Sequence, residues 1–200
     1  MTHQSFLTVS LTATILFALG NGVAFGDEPN SGKKPTSVEI ENADFEIGGE
    51  EIPGWKSGTS GASVRVPKAT KAVFKWDDSN SHTGKASVYM RNEGPASAVW
   101  STEITNLQPN TKYRLSVWMK SFIGSSVCSI GIRGGLQKKR ENWTESLNVD
   151  NTGAADWEQF SLEFTTQDGV NPNATILLQN RGGNNDEIWF DDVELVEIVE

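Results

Sequence analysis

From Val38 onward the chain is written in short stretches where apolar and polar residues alternate, separated by clusters of turn formers. Successive side chains of a strand point to opposite faces, so this alternation predicts strands with one buried and one solvated face. Lys112 to Ser121 is the clearest case: Tyr113, Leu115, Val117 and Met119 fall on one side, and Arg114, Ser116, Trp118 and Lys120 on the other. The same period runs through Ala86 to Met90, Ala98 to Ile104, Val127 to Ile132, Glu158 to Phe164, Ala174 to Gln179 and Ile188 to Val199. Gly58-Thr59-Ser60-Gly61, Gln108-Pro109-Asn110, Asp150-Asn151-Thr152-Gly153 and the run from Arg181 to Asn185 read as turns. The chain has room for roughly ten strands, and no segment keeps a helical period over three turns. Gln137 to Leu147, rich in charge, is read as a long loop. The expected fold is all-β, a two-sheet antiparallel sandwich.

The N-terminal end has a different pattern. Residues 1–26 contain no Asp, Glu, Lys or Arg, and an apolar run from Phe6 to Leu19 ends near Ala24-Phe25-Gly26. This predicts a secretory signal peptide cleaved after Gly26, although no basic residue precedes the run. Residues 27–37 are polar and read as a flexible linker, and residues 38–200 as one domain. The expected location is secreted, periplasmic or at the cell surface. With 17 basic and 26 acidic residues the chain carries a formal charge of −9, which disfavours nucleic acid and anionic membrane as partners. The single cysteine, Cys128, lies in an apolar stretch and reads as a buried free thiol.

Seven tryptophans change the picture, because Trp is costly to expose unless something covers it. A pyranose ring offers a flat C–H face to an indole, while its hydroxyls need polar partners in the ring plane. Trp118 shares its strand face with Arg114, Ser116 and Lys120, and so reads either as lining a ligand face or as packing beneath a loop. Trp143 lies in a polar segment and reads equally as a site aromatic or a loop anchor. Trp76 and Trp100 remain candidates, although the parity of Trp100 with Ala98 and Ile104 favours core. Trp55, Trp157 and Trp189 read as structural. Arg133, Gln179 and Asn180 are the candidate hydrogen-bonding groups. Asp44, Glu46, Asp191 and Asp192 lie among apolar residues, and Ca²⁺, which takes six to eight oxygen ligands, would compensate such carboxylates. After loss of the signal peptide, His82 is the only imidazole, and no nucleophile motif or phosphate loop is present, so no enzymatic activity is expected.

Five segments in order resemble one known group. Asn42-Ala43-Asp44-Phe45-Glu46 with Pro53-Gly54-Trp55, then His82 to Ser87, Leu107 to Trp118, Trp157 to Phe160 and Phe190 to Leu195 resemble the carbohydrate-binding modules of families four, nine and twenty-two. The resemblance implies a galactose-binding-like jelly roll that binds a β-linked polysaccharide such as xylan or β-glucan without catalysis, as a monomer. It also implies a structural Ca²⁺ held by Glu46, by Asp191 or Asp192, and by carbonyls around Gly84 and Lys85, with Asp44 as a further carboxylate. The alternative is an extracellular protein-interaction or spacer module with no glycan ligand.

Overall fold

The structure, a computed structural model, describes residues 35–59, 71–94, 97–122, 127–135, 142–149, 156–167, 173–181 and 185–199. All belong to the compact unit Lys33–Glu200. The expected signal peptide and most of the expected linker lie outside the described residues. Ten strands follow in order: β1 (Lys56–Thr59), β2 (Ala72–Asp77), β3 (Ser87–Asn92), β4 (Ser97–Ile104), β5 (Lys112–Phe122), β6 (Val127–Gly135), β7 (Asn142–Val149), β8 (Glu158–Thr165), β9 (Ala174–Arg181) and β10 (Glu187–Glu197). They form two five-stranded antiparallel sheets, β1-β4-β9-β6-β7 and β2-β3-β10-β5-β8. Among the described residues no helix is long and apolar enough to cross a membrane.

The alternation seen in the sequence is the alternation of the sandwich. In β5, Leu115, Val117 and Met119 are fully buried, and across the interior Ile130, Ile176 and Leu178 of the first sheet are buried as well. Each such side chain contributes about 1.5–3 kcal/mol by leaving water. Cys128 joins this core as a free thiol, and burial pushes its pKa upward. Of the segment Gln137 to Leu147, expected as a loop, residues 142–147 instead belong to β7, which pairs with β6 from Cys128–Val149 to Gly135–Asn142, and residues 137–141 lie outside the described residues.

Two motif segments close the ends of the sandwich. Thr36 and Ser37 already pair with β10, through a bridge from Ser37 to Val196 and a hydrogen bond from Glu197 N to Thr36 O of 2.9 Å. Beyond them Asn42 ties a loop by accepting from Ile47 N at 3.0 Å and donating to Ile47 O at 2.8 Å. Phe45 and Trp55 pack there with ring centroids 4.9 Å apart, and the Trp55 indole donates to Glu41 O and Asn42 O. Tyr113, 2% exposed, accepts from Gln108 N at 2.9 Å and so fixes the turn before β5. β10 shifts register between Asp191 and Glu194, where Asp192 adopts φ 46°. This bulge presents two successive aspartates to the loop before β3.

Candidate functional site

The outer face of β1-β4-β9-β6-β7 is a polar floor set by register. Lys56, Ser101, Leu177, Gly131 and Ser146 form one row; Gly58, Val99, Gln179, Ser129 and Asn148 form the next. A third holds Glu103, Thr175 and Arg133. Gln179 is only 9% exposed although it points away from the core. Its Oε1 accepts from Ser129 Oγ at 3.1 Å and from Arg181 Nε at 3.1 Å, with a second, shorter contact from Arg181 Nη2. The amide is thereby held in one orientation, with its N–H groups free of hydrogen bonds among the described residues. Toward the other end, a hollow of about 430 Å³ is lined by Trp55, Lys56, Ser101, Glu103, Arg133 and Thr175. The exposed Lys56–Glu103 ion pair at 3.6 Å crosses its rim and adds little stability.

Arg133 and Gln179, both expected from sequence, thus share this face. Arg181, part of an expected turn, is on it too; its spacing of two from Gln179 is the signal for it in the sequence. Asn180 points the other way: it is fully buried, and its Nδ2 donates to Asp186 O at 3.2 Å. Trp100 lies in the core at 5% exposure, its Nε1 donating to Tyr89 O. Trp76, half-buried in β2, packs against the core and donates to Phe45 O at 2.6 Å. Trp118 belongs to the outer face of the other sheet. Trp143 stands in β7 opposite Gly134, and its side chain lies outside the described residues.

The four acidic candidates gather around the loop before β3. Glu46 Oε1 accepts from Lys85 N at 2.8 Å and Ala86 N at 3.2 Å. Gly84, at φ 57°, lets that carboxylate approach, since a Cβ there would collide with it. Asp191, fully buried, accepts from His82 N, Thr83 N and Asp192 N. Burial pushes its pKa up to about 6, the neighbouring Asp192 charge adding to the rise and the N–H donors opposing it. Asp192 is engaged differently, by Thr83 Oγ1 at 2.8 Å and by His82 Nδ1 at 2.6 Å. Asp44 is exposed and accepts from Glu46 N at 3.4 Å. Among the described residues no three His, Cys, Asp or Glu side chains cluster as a metal site. A cation here would draw on Glu46, Asp191 and main-chain carbonyls, an all-oxygen set that fits a hard ion in chemistry.

His82 is the residue whose role the sequence hid. Its imidazole stacks on Trp118 with centroids 3.7 Å apart and planes 12° from parallel, and Trp157 meets it edge-on at 6.0 Å.

Two antiparallel sheets with this strand order define a jelly-roll β-sandwich. The profile of the family described as "Carbohydrate binding domain" matches residues 39–181, and the chain belongs to that family, as its ordered motifs suggested. No curated protein matches the sequence. Among solved structures the fold is similar to the enzymatically active domain of bacteriophage CBA120 tailspike protein 4. The TM-score is 0.58 at 17% identity, over 80% of this chain and 21% of that one. TmCBM61, solved with β-1,4-galactotriose, gives 0.53 at 22% identity, over 82% of this chain and all of that one. The CBM22-1 xylan-binding domain of Paenibacillus barcinonensis Xyn10C gives 0.52 at 13% identity, over 82% and 94%.

Proposed function

We propose that the chain binds a neutral β-linked polysaccharide of the xylan or β-glucan kind on the outer face of β1-β4-β9-β6-β7, as a monomer and without chemistry on it. The observation that carries this reading is the braced Gln179 amide. A buried amide held by Ser129 and Arg181, whose N–H groups meet no acceptor among the described residues, suits a sugar hydroxyl. Arg133, Ser101 and Asn148 extend the same floor. The grip is chiefly polar: of the indoles whose side chains are described, only Trp55 reaches this face, at the hollow. Trp143 is the further aromatic candidate, from its place in β7. TmCBM61, solved with β-1,4-galactotriose, and the xylan-binding CBM22-1 domain are similar in fold and support the ligand class.

Affinity electrophoresis in xylan, mixed-linkage β-glucan and β-1,4-galactan tests this. At least one should retard the protein, and Gln179→Ala should weaken binding about tenfold, as loss of about 1.4 kcal/mol implies. Retardation by none of them would reject the reading. Loss on Trp118→Ala with none on Gln179→Ala would move the site to the other sheet.

We also propose, from the uncharged residues 1–26 and their apolar run Phe6 to Leu19, that the protein acts outside the cytoplasm with a mature chain that begins at Asp27. N-terminal sequencing of exported protein checks this; an intact Met1 would count against it. We further propose a structural Ca²⁺ held by Glu46 and Asp191, with carbonyls of the loop at Gly84 and Lys85. Its support is a fully buried carboxylate whose partners among the described residues are three N–H donors, beside the second carboxylate of Asp192. The ion would neutralise that charge and fix the loop.

A further inference from the structure

The second sheet has a groove on its outer face that glycan binding on the first sheet leaves unused. It runs over β10, β5 and β8 and is built by register. Trp118 stands opposite Asp191 and Gln159, Ser116 opposite Glu194 and Ser161, and Arg114 opposite Val196 and Glu163. Two hollows of about 270 and 320 Å³ lie along it, and both have Gln159 and Glu194 in their walls. They form one continuous groove.

One end of the groove is a fixed aromatic surface. His82, anchored by Asp192, covers one face of the Trp118 indole. Trp118 also lines the smaller hollow, with the part of the indole that His82 leaves uncovered. The floor is polar and has bonding capacity to spare. Ser116 is 5% exposed, and neither it nor Gln159, Ser161 or Glu194 makes a side-chain hydrogen bond among the described residues. These groups line the groove and can bond the hydroxyls of a ligand.

Charge narrows the ligand class. Asp44, Asp192, Glu194 and Glu163 line the groove against the single guanidinium of Arg114. That guanidinium is already bound to Glu163 at 2.7 Å, and Lys112 reaches the same carboxylate at 3.0 Å. Uronate, sulfate or phosphate groups are repelled from such a surface. An ammonium group is drawn both to free carboxylates and to an indole face. A lysine side chain offers the charge but not the flat ring that Trp118 can stack or the hydroxyls that Ser116 and Ser161 can bond.

The geometry points to a second ligand site in this groove, for an oligosaccharide that carries protonated amino groups. One pyranose packs against the free side of Trp118, its ammonium faces Glu194 and Asp44, and its hydroxyls bond Ser116, Gln159 and Ser161. The site lies on the opposite outer face from Arg133 and Gln179 and does not depend on what binds there.

The probe is the β-1,4-linked hexamer of glucosamine, titrated calorimetrically into the full chain at mildly acidic pH with calcium saturating. The fully N-acetylated hexamer and a lysine oligopeptide serve as comparators. The unacetylated hexamer should bind saturably, about tenfold more tightly than either comparator, and more weakly as salt is raised. Glu194→Gln and Gln159→Arg, both at exposed positions, should each lower affinity about fivefold at unchanged melting temperature, while Arg133→Ala leaves it unaltered. Absence of saturable binding, equal affinity for the acetylated hexamer, or loss on Arg133→Ala but not Glu194→Gln would overturn the proposal. Equally tight binding of the lysine peptide would reassign the groove to a basic peptide.

Discussion

Replacing Trp100 by alanine is expected to cost about 3–5 kcal/mol of folding free energy, the range for deleting a large buried aromatic. Trp100 is 5% exposed in the middle of β4, facing the interior. Its Nε1 donates to Tyr89 O at 3.2 Å, a hydrogen bond from the first sheet to β3 of the second, and Phe74 meets it edge-on at 5.3 Å. Alanine removes the packing, leaves a cavity between the sheets and deletes a polar tie that crosses between them. A domain of this size has about 5–15 kcal/mol in total, so a fifth or more would be lost. Urea denaturation reads this as a lower midpoint at an unchanged slope. Trp100→Phe keeps the ring but not the N–H and should cost about 1–2 kcal/mol. Trp118→Ala, at a partly exposed site, should cost less than Trp100→Ala. Equal midpoints for wild type and Trp100→Ala would mean that the indole does not fill the core.

What could be read in the sequence follows from what alternation can encode. A strand with one face in the core and one in solvent writes its own boundaries, which is why Lys112 to Ser121 matches β5 to within a residue. Edge strands write much less. β1 and β7 pair on one side only, and β7 has apolar residues in register only at Trp143, Leu147 and Val149, with Glu145 between them. Gln137 to Leu147 therefore reads as a loop.

Parity also reports which side of its own sheet a residue occupies, never which sheet. It set Trp118 correctly away from the core, yet Arg133 and Gln179 lie on the other sheet. Strand order is a property of the whole chain. His82 illustrates the same limit: nothing in Asn80-Ser81-His82-Thr83-Gly84 signals that the ring lands on Trp118 and Asp192, the latter 110 residues away. The motifs that revealed the family are structural ties. Asn42, Phe45, Trp55 and Tyr113 hold loops and turns, so they identify the fold and leave the ligand to the less patterned residues between them.

Chelation is expected to lower the melting temperature at neutral pH by about 5–10 °C relative to calcium-saturated protein. An ion at about a hundred times its Kd stabilises the native state by about 2.7 kcal/mol, and a domain of this size shifts by about 2–4 °C per kcal/mol. The pH dependence follows from Asp191. Its folded pKa, about 6, is raised above the ordinary carboxylate value of 3.8 chiefly by burial. Between those values the native state binds more protons than the unfolded chain, so without a cation this group's contribution to stability falls as pH rises through the window. Below pH 3.8 both states are protonated and the penalty is absent; above about 6 it is complete. Calcium on Asp191 and Glu46 favours the ionised form and reverses that trend. The gap between chelated and calcium-loaded melts should therefore be widest at neutral pH and close as the solution is acidified toward the ordinary carboxylate range. Asp191→Asn, which removes both the buried charge and a ligand, should abolish the calcium response and flatten the pH profile of the chelated protein. Superimposable melts with and without chelator at neutral pH would remove the ion from the structure and leave Asp191 held by its three N–H donors alone.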